Sequence, residues 1–231
     1  MKRILIKLIF ILIISIITVS GYFYFIGRSL YNKKISEISI SIKVEEIRKS
    51  KNYTTLDKVP SDYLNAIIAV EDHRFYEHGA VDYVALARAG IKNFQSKSLI
   101  EGGSTITQQV AKNLYFIADG DGVDRKIAEL MIAEELEKKF SKGEILELYI
   151  NIIYFGDGYY CVYDASIGYF NKKPIDMNLY ESTLLAGIPN APSVYSPTVN
   201  SELSKKRQQK VINDMVKYGY LTKEQADKII K

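Results

Sequence analysis

The sequence has little cysteine, tryptophan and histidine, and each shortage excludes something. It contains one cysteine, no tryptophan and two histidines among 231 residues. The single cysteine, Cys161, cannot form an internal disulfide, so a domain outside the cytoplasm must be held by its core alone. We interpret Cys161 as a small buried residue rather than a nucleophile. No group of ligand residues has the spacing of a metal site, so we predict no metal centre and no certain cofactor, with Mg²⁺ or another divalent ion left open.

A strong excess of one charge is also missing. The chain has 31 lysines and arginines against 27 acidic residues, a formal net charge of +4, and the two signs are interspersed. This pattern disfavours a general nucleic-acid-binding protein. The length leaves room for one membrane anchor and one domain of ordinary size, without a second enzymatic domain.

One long apolar run is present at the N-terminus. The segment from Ile4 to Ile26 is apolar for about twenty residues, enough to cross a hydrocarbon core of roughly 30 Å as a helix. Lys2, Arg3 and Lys7 precede or begin it, so the positive-inside rule predicts a cytoplasmic N-terminus and an extracytoplasmic remainder. A cleaved signal peptide is the alternative. We favour an uncleaved anchor, because the run is longer than a usual signal sequence and no A-x-A site follows it.

The rest of the chain divides by its hydrophobic pattern. We predict an anchor over residues 1–27, a linker arm over 28–54 and a catalytic domain over 55–231. Within the arm, Glu37 to Glu45 alternates apolar and polar residues with period two, which predicts a short strand or an extended arm.

From Pro60 onward the pattern is helical, and the predicted fold class is mainly α. Ser61 or Asp62 is predicted to cap the first of these helices. Two later helix starts have a capping-box pattern, Ser141-x-x-Glu144 and Thr222-x-x-Gln225. Further helices are predicted at about 82–95, 104–115, 123–140, 142–153, 159–170, 178–187, 202–218 and 223–230.

Glu71 and Asp72 directly follow an apolar helical run. A carboxylate at the end of a buried helix loses water, which makes it a stronger base, as general base catalysis requires. The alternative is an ordinary carboxylate paired with Arg74 or His78.

Glu129 is a charged residue within about two apolar turns of a predicted helix. An acid buried there needs a partner or a chemical role. Arg125, four residues earlier, would be an ordinary partner. The other interpretation is a second active-site carboxylate, because sugar chemistry commonly divides acid and base work between two such groups.

Ser104, Gln108 and Lys112 are spaced to share one face of a predicted helix whose N-terminus follows two glycines. Backbone N–H groups and the helix dipole favour an anion at such a position, so this face is a candidate diphosphate site. The alternative is a solvated polar helix face.

Taken in order, these motifs resemble glycosyltransferase family 51, the peptidoglycan transglycosylases that occur alone or as the N-terminal half of bifunctional penicillin-binding proteins. The resemblance covers about residues 55–231. Its motifs are Glu71-Asp72-x-x-Phe75-x-x-His78, Gly103-Ser104-Thr105-Ile106-Thr107-Gln108-Gln109, Arg125-Lys126-x-x-Glu129, Lys142-x-x-Ile145-Leu146-x-x-Tyr149-Ile150-Asn151, Tyr154-Phe155-Gly156, Leu185 to Pro192, and Arg207 ahead of Val211-Ile212.

The resemblance implies a two-lobed, lysozyme-like fold behind a single transmembrane helix, and lipid II as the substrate. Glu71 would deprotonate the acceptor 4-hydroxyl, and Glu129 would assist at the diphosphate, with inversion and release of undecaprenyl diphosphate. The remaining residues that the resemblance implies in substrate binding are Asp72, Phe75, His78, Ser104, Thr105, Gln108, Gln109, Lys112, Arg125, Lys126, Asn190 and Arg207. Separate transpeptidases and other cell-wall proteins are the implied partners, because the Ser-x-x-Lys motif of a transpeptidase is absent.

Four positions depart from the family pattern. Ala128 stands where many members have a lysine, so an expected diphosphate-binding cation is missing, and Gln208 replaces a frequent second arginine. Ala80 and Cys161 stand where glycines are common. We expect these changes to affect diphosphate affinity and backbone freedom more than the base. Two alternative functions remain open, a lysozyme-like glycan hydrolase and a catalytically weak scaffold in a cell-wall complex.

Overall fold

The structure, a computed structural model, describes residues 2–96 and 102–230. Within these ranges every regular element is a helix, which confirms the mainly α fold class. The α-helices are α1 (Lys2–Glu37), α2 (Ile40–Arg48), α3 (Ser61–Glu71), α4 (Tyr83–Ser96), α5 (Ile106–Tyr115), α6 (Val123–Lys139), α7 (Lys142–Ile152), α8 (Val162–Phe170), α9 (Leu179–Gly187), α10 (Pro192–Tyr195), α11 (Ser201–Lys217) and α12 (Lys223–Ile230). Short 3₁₀ turns occupy Leu56–Lys58, Pro174–Asp176 and Ile188–Asn190.

The N-terminal apolar run forms the first part of one long helix. Helix α1 has 36 residues, which corresponds to a length of about 54 Å. It is long and apolar enough to cross a membrane, and its apolar stretch is not buried against the rest of the chain. The predicted apolar helix is therefore confirmed and is a candidate membrane span, and it continues without a break to Glu37.

The predicted strand within Glu37 to Glu45 is wrong, because this segment contains the end of α1 and the start of α2. The apolar residues that suggested period two also fit a helix, since Ile40 and Val44 are four residues apart on one face. Both side chains are fully buried. The Ser39 hydroxyl accepts a hydrogen bond from the Ile42 amide and caps α2. The arm is thus helical and contributes to the core.

The helices pack as two groups. Helices α3, α9 and α11 contact one another, and α5 packs against both α6 and α7, with α1 lying along α6. Tyr63 and Ile67 of α3 are completely buried in the first group, and Ile132 and Leu146 are buried in the second. A cleft runs between the two groups.

Most predicted helix starts are confirmed, and the local chemistry explains the exceptions. Both predicted capping boxes are present, at Ser141 and at Thr222. The predicted cap at Ser61 or Asp62 is wrong, because Pro60 occupies the N-cap position and no side chain caps α3. Helix α5 begins two residues later than predicted, because the Thr105 hydroxyl accepts the Gln108 amide and ends the preceding loop there.

Candidate active site

A cleft of about 740 Å³ lies between the two helix groups. Its walls come from the C-terminal end of α3, one face of α5, the N-terminal half of α6, the turn before α10 and the inner face of α11. Eleven of the fourteen residues predicted for the site line this cleft: Glu71, Asp72, Ser104, Gln108, Gln109, Lys112, Arg125, Lys126, Glu129, Asn190 and Arg207.

Glu71 is the last residue of α3 and lies deep in the cleft, with a side chain that is 9% exposed. Arg207 Nη2 donates to its Oε1 atom over 3.2 Å, and Gln109 Nε2 donates to Oε2 over 2.9 Å. Neither partner considered from the sequence contacts Glu71, because Arg74 contacts Glu77 and Asp82. The pairing with His78 is instead confirmed for the neighbouring carboxylate, Asp72. Each carboxylate oxygen therefore has one donor and keeps lone-pair capacity for a substrate hydroxyl.

Glu129 is nearly buried, with a side chain that is 3% exposed. Arg125 Nη1 lies 2.9 Å from its Oε2 atom, which confirms the predicted pairing, and Lys126 contacts Oε1. Lys126 Nζ also lies 3.1 Å from Gln108 Oε1 and 3.3 Å from Ser104 Oγ. The carboxylate thus orients two cations at the wall of the cleft, where they can bind an anion.

The helical face predicted for Ser104, Gln108 and Lys112 is only partly correct. Ser104 precedes α5 and reaches this region from the loop. Gln108 is buried and donates to the Ala80 carbonyl, so its amide oxygen is turned toward Lys126. Lys112 is exposed and lines the cleft. Of the three residues, only Gln108 is buried, whereas Ser104 and Lys112 are exposed and line the cleft.

Three residues predicted to bind substrate are not among the cleft-lining residues. Phe75 is fully buried, and Lys142 Nζ lies 4.4 Å from its ring centre. Thr105 Oγ1 donates to the Ala80 carbonyl. His78 Nε2 lies 2.7 Å from Asp72 Oδ1. These contacts hold the loop between α3 and α4 in place, so Phe75, Thr105 and His78 support the cleft from behind.

Asp72, His78 and Asp82 form a group whose ligand atoms lie within 4.8 Å of one another. Their spacing along the chain did not suggest a metal site. Burial alone would lower the pKa of His78, but hydrogen bonds to Asp72 and to the Gly79 carbonyl outweigh it, so the pKa of His78 is raised. Arg74 Nε lies 3.8 Å from Asp82. The raised pKa favours the protonated form of His78, whose positive charge lies beside Asp72 while that of Arg74 lies beside Asp82.

The four departures from the family pattern lie away from the open part of the cleft. Ala128 is fully buried in α6, so a lysine there could not reach the cleft without disturbing the packing. Gln208 is buried and donates to the Tyr180 carbonyl and Thr183 Oγ1, which links α11 to α9. Gln208 is not among the cleft-lining residues, and its effect on diphosphate affinity stays a prediction. The Ala80 carbonyl accepts from Thr105 and Gln108.

Cys161 is 8% exposed and stands at the N-cap of α8. Burial raises the pKa of its thiol to about 11. This agrees with the interpretation of Cys161 as a buried residue rather than a nucleophile.

Part of the cleft wall had no sequence motif to indicate it. The rings of His73 and Tyr218 stack with centres 4.1 Å apart, and both residues line the cleft. Burial, together with the charges of Arg88 and Lys217, lowers the pKa of His73. Tyr218 lies at the C-terminal end of α11. The hydrophobic period of the sequence predicts this helix but does not show that Tyr218 lies beside His73.

Comparison with known proteins agrees with these observations. A family model described as Transglycosylase matches residues 37–216. The chain belongs to this family, glycosyltransferase family 51, as its motifs predicted.

Several relatives are penicillin-binding proteins. The chain is 34% identical over 242 residues to penicillin-binding protein 1A of Aquifex aeolicus, covering 100% of this chain and 33% of that protein. It is 43% identical over 181 residues to penicillin-binding protein 1A of Neisseria flavescens, covering 78% and 23%. It is 34% identical over 236 residues to penicillin-binding protein 1F of Bacillus subtilis, covering 97% and 33%. The chain thus spans a third or less of the length of these relatives.

A crystal structure of penicillin-binding protein 1A from Haemophilus influenzae matches with a TM-score of 0.47 and 23% identity, over 78% of this chain and 17% of that one.

Proposed function

We propose that this chain is a peptidoglycan glycosyltransferase that polymerises lipid II outside the cytoplasmic membrane, with inversion and with release of undecaprenyl diphosphate. The observation that carries the proposal is the placement of Glu71. Its carboxylate is nearly buried and is held by Arg207 and Gln109 in the same cleft that contains Arg125, Lys126 and Glu129. A base and an anion-binding group in one cleft are what this reaction requires.

In the proposed mechanism, Glu71 accepts the proton of the acceptor 4-hydroxyl while that oxygen attacks the anomeric carbon of the donor. The bond from the anomeric carbon to the diphosphate oxygen breaks, and its electron pair stays on the lipid diphosphate. Arg207 and Gln109 fix the orientation of Glu71. Holding a catalytic group in its reactive orientation in advance contributes a large share of the rate of an enzymatic reaction.

Charge on the departing diphosphate would be met by the cations on the opposite wall. Lys126 and Arg125 are oriented by Glu129, and Lys112 is exposed to the cleft. In this role Glu129 acts through the cations rather than as a second base. Donors that are fixed in advance stabilise developing charge without reorganising at the moment of reaction.

We also propose that the N-terminus is cytoplasmic, and that the folded exterior unit begins near Gly27 rather than at residue 55. Ile40 and Val44 support the second point, because both belong to the core. Transpeptidases that act on the glycan product are proposed as separate partners.

The test is incubation of the purified full chain with fluorescently labelled lipid II in vesicles. Long glycan that lysozyme digests is the expected product, and a moenomycin-type inhibitor should block it. Shortening of preformed glycan would instead indicate a hydrolase. Absence of any product, together with an unchanged cellular phenotype for Glu71→Gln, would favour the scaffold alternative.

A further inference from the structure

Helices α1 and α6 lie side by side and run in the same direction. Gly27 of α1 lies beside Asp124 and Ile127 at the start of α6. Further along both helices, Tyr31 Oη donates to Glu135 Oε2 over 2.5 Å. Since the residue numbers increase together, the N-terminal end of α6 lies at the level of Gly27 and its C-terminal end lies farther from the apolar span.

The contact at Gly27 leaves no room for a side chain. A Cβ atom built there would lie 2.5 Å from Ile127 Cγ2, 2.6 Å from Ile127 Cβ and 3.2 Å from the Asp124 carbonyl oxygen. At Gly21, on the same helix, an added Cβ would meet nothing within 4 Å. The close approach of the two helices therefore requires glycine at position 27, whereas position 21 tolerates other residues.

Gly27 also marks the end of the apolar run, because Ile26 precedes it and Arg28 follows. The first turns of α6, with Arg125 and Lys126, are consequently held at the depth where the apolar span ends. Val123, at the start of α6, is 53% exposed, as a residue near the lipid boundary can be. The phosphates of a lipid-linked substrate lie at this same boundary.

Two contacts outside the span join α1 to α6 and to the loop before it. Lys34 Nζ lies 2.7 Å from Asp119 Oδ2, and Tyr31 binds Glu135 as described. Because α1 is one continuous helix through Glu37, its position in the bilayer is transmitted directly to α6.

We propose that Gly27 is a positioning residue: its contact with Ile127 docks the anchor helix on α6 and sets the depth of the Arg125 and Lys126 side of the cleft relative to the bilayer. The proposal rests on the proposed function, because the depth matters for a substrate whose diphosphate is fixed at the membrane surface. Gly27 acts through α6 and contacts no substrate.

The activity test compares two substrates and two matched variants. In vesicles with long-chain lipid II, Gly27→Leu should lower kcat/KM about tenfold or more, because small misplacements of a site are costly. With a water-soluble, short-chain analogue, whose diphosphate is not confined to the bilayer, the loss should be less than about twofold. Gly21→Leu should leave both rates within about twofold. An equal loss on both substrates for Gly27→Leu would overturn the proposal.

A milder pair of variants separates positioning from misfolding. Gly27→Ala should reduce activity on the long-chain substrate, and adding Ile127→Gly should restore it, because that change removes both nearest atoms. Leucine and alanine favour a helix more than glycine does, so neither substitution weakens α1 itself. Failure of Ile127→Gly to rescue would contradict the assigned contact.

A depth measurement gives a readout that does not depend on activity. Val123→Cys can be labelled with a nitroxide, since the buried Cys161 thiol has a raised pKa and reacts poorly. In phospholipid vesicles, accessibility to a lipid-soluble relaxant should change with Gly27→Leu and stay constant with Gly21→Leu. An unchanged depth in Gly27→Leu would refute the proposal. If depth changes as expected but the wild-type chain makes no glycan, the proposed function fails and the positioning role of Gly27 stands.

Discussion

Gln109 Nε2 lies 2.9 Å from Glu71 Oε2, so the helix that follows Thr105 donates directly to the carboxylate that ends α3. The two residues belong to different helix groups, one on each side of the cleft. Their hydrogen bond therefore fixes the carboxylate relative to the opposite wall. Arg207 holds the other oxygen, which leaves little rotational freedom for Glu71.

Glu71→Gln should abolish most polymerisation of lipid II. Removing a general base costs roughly 10²- to 10⁴-fold in rate. The new amide also places its own donor against either Gln109 or Arg207. Glu77→Gln is the matched control, because Glu77 is exposed and pairs with Arg74 outside the cleft. Initial rates on labelled lipid II measure both variants, and a Glu71→Gln rate within about threefold of wild type would exclude Glu71 as the base.

Arg207→Lys should lower kcat by about tenfold while the chain remains folded. Arginine makes two contacts here, from Nε to the Gly187 carbonyl and from Nη2 to Glu71, and one ammonium group cannot make both. Lys206→Ala on the exposed face of α11 provides the control. If Arg207→Lys retained full kcat, orientation of Glu71 by the guanidinium would not contribute to the rate.

Ala128→Lys should not restore the cation that the family pattern suggests. Ala128 is fully buried, so a lysine there places a charge in the core and should destabilise the fold by about 2 kcal/mol or more. That corresponds to a fall in Tm of roughly 4–8 °C. Glu134→Lys, at an exposed position on the same helix, should leave Tm nearly unchanged. A higher rate without loss of Tm would mean that α6 can present a lysine to the cleft from position 128.

The His78 contribution to stability should depend on pH. Its pKa is raised in the folded protein, so the protonated ring stabilises the fold. This stabilisation is fully present below the unfolded pKa of about 6.5 and is lost as pH rises through the folded value. His78→Gln should therefore lower Tm more at about pH 6 than at about pH 9.

His73→Gln supplies a control of opposite sign for this experiment. Burial, with Arg88 and Lys217, lowers the pKa of His73, so its titration destabilises the wild-type fold as pH falls below about 6.5. The Tm of His73→Gln relative to wild type should then rise toward low pH. Parallel pH curves for the two variants would contradict both assignments.

The Cys161 thiol should resist labelling in the native protein. Burial raises its pKa to about 11, so little thiolate exists near neutral pH. Maleimide modification followed by mass measurement should show no adduct on the folded chain at about pH 7 and one adduct after denaturation. Rapid native labelling would show that α8 opens at its N-terminus.

The parts of this protein that could be predicted from its sequence are those with local physical causes. Ser141 and Glu144 satisfy each other within one turn, and the apolar run before Glu71 has a helical period, so both were predicted. The strand in the arm was predicted wrongly. Its few apolar residues fit both the period of a strand and that of a helix, and only their burial against the core shows that the segment is helical.

Long-range contacts could not be predicted in the same way. The neighbours of Glu71 are separated from it by 38 and 136 residues, and no spacing rule reveals them. The burial of Gln208 depends on α9 packing against α11, and the stacking of His73 on Tyr218 depends on the end of α11. The family motifs identified many cleft residues but did not separate those that line the cleft from those, such as Phe75 and His78, that support it.

The 136-residue separation between Glu71 and Arg207 also bears on the timing of biosynthesis. The chain emerges from its N-terminus, so α1 enters the bilayer long before α11 has been made. Until α11 docks, Glu71 has no guanidinium beside it and the cleft has only part of its walls. Under the proposed function, a newly made molecule therefore enters the membrane while its cleft is still incomplete, and it becomes competent for catalysis when α11 docks beside Glu71.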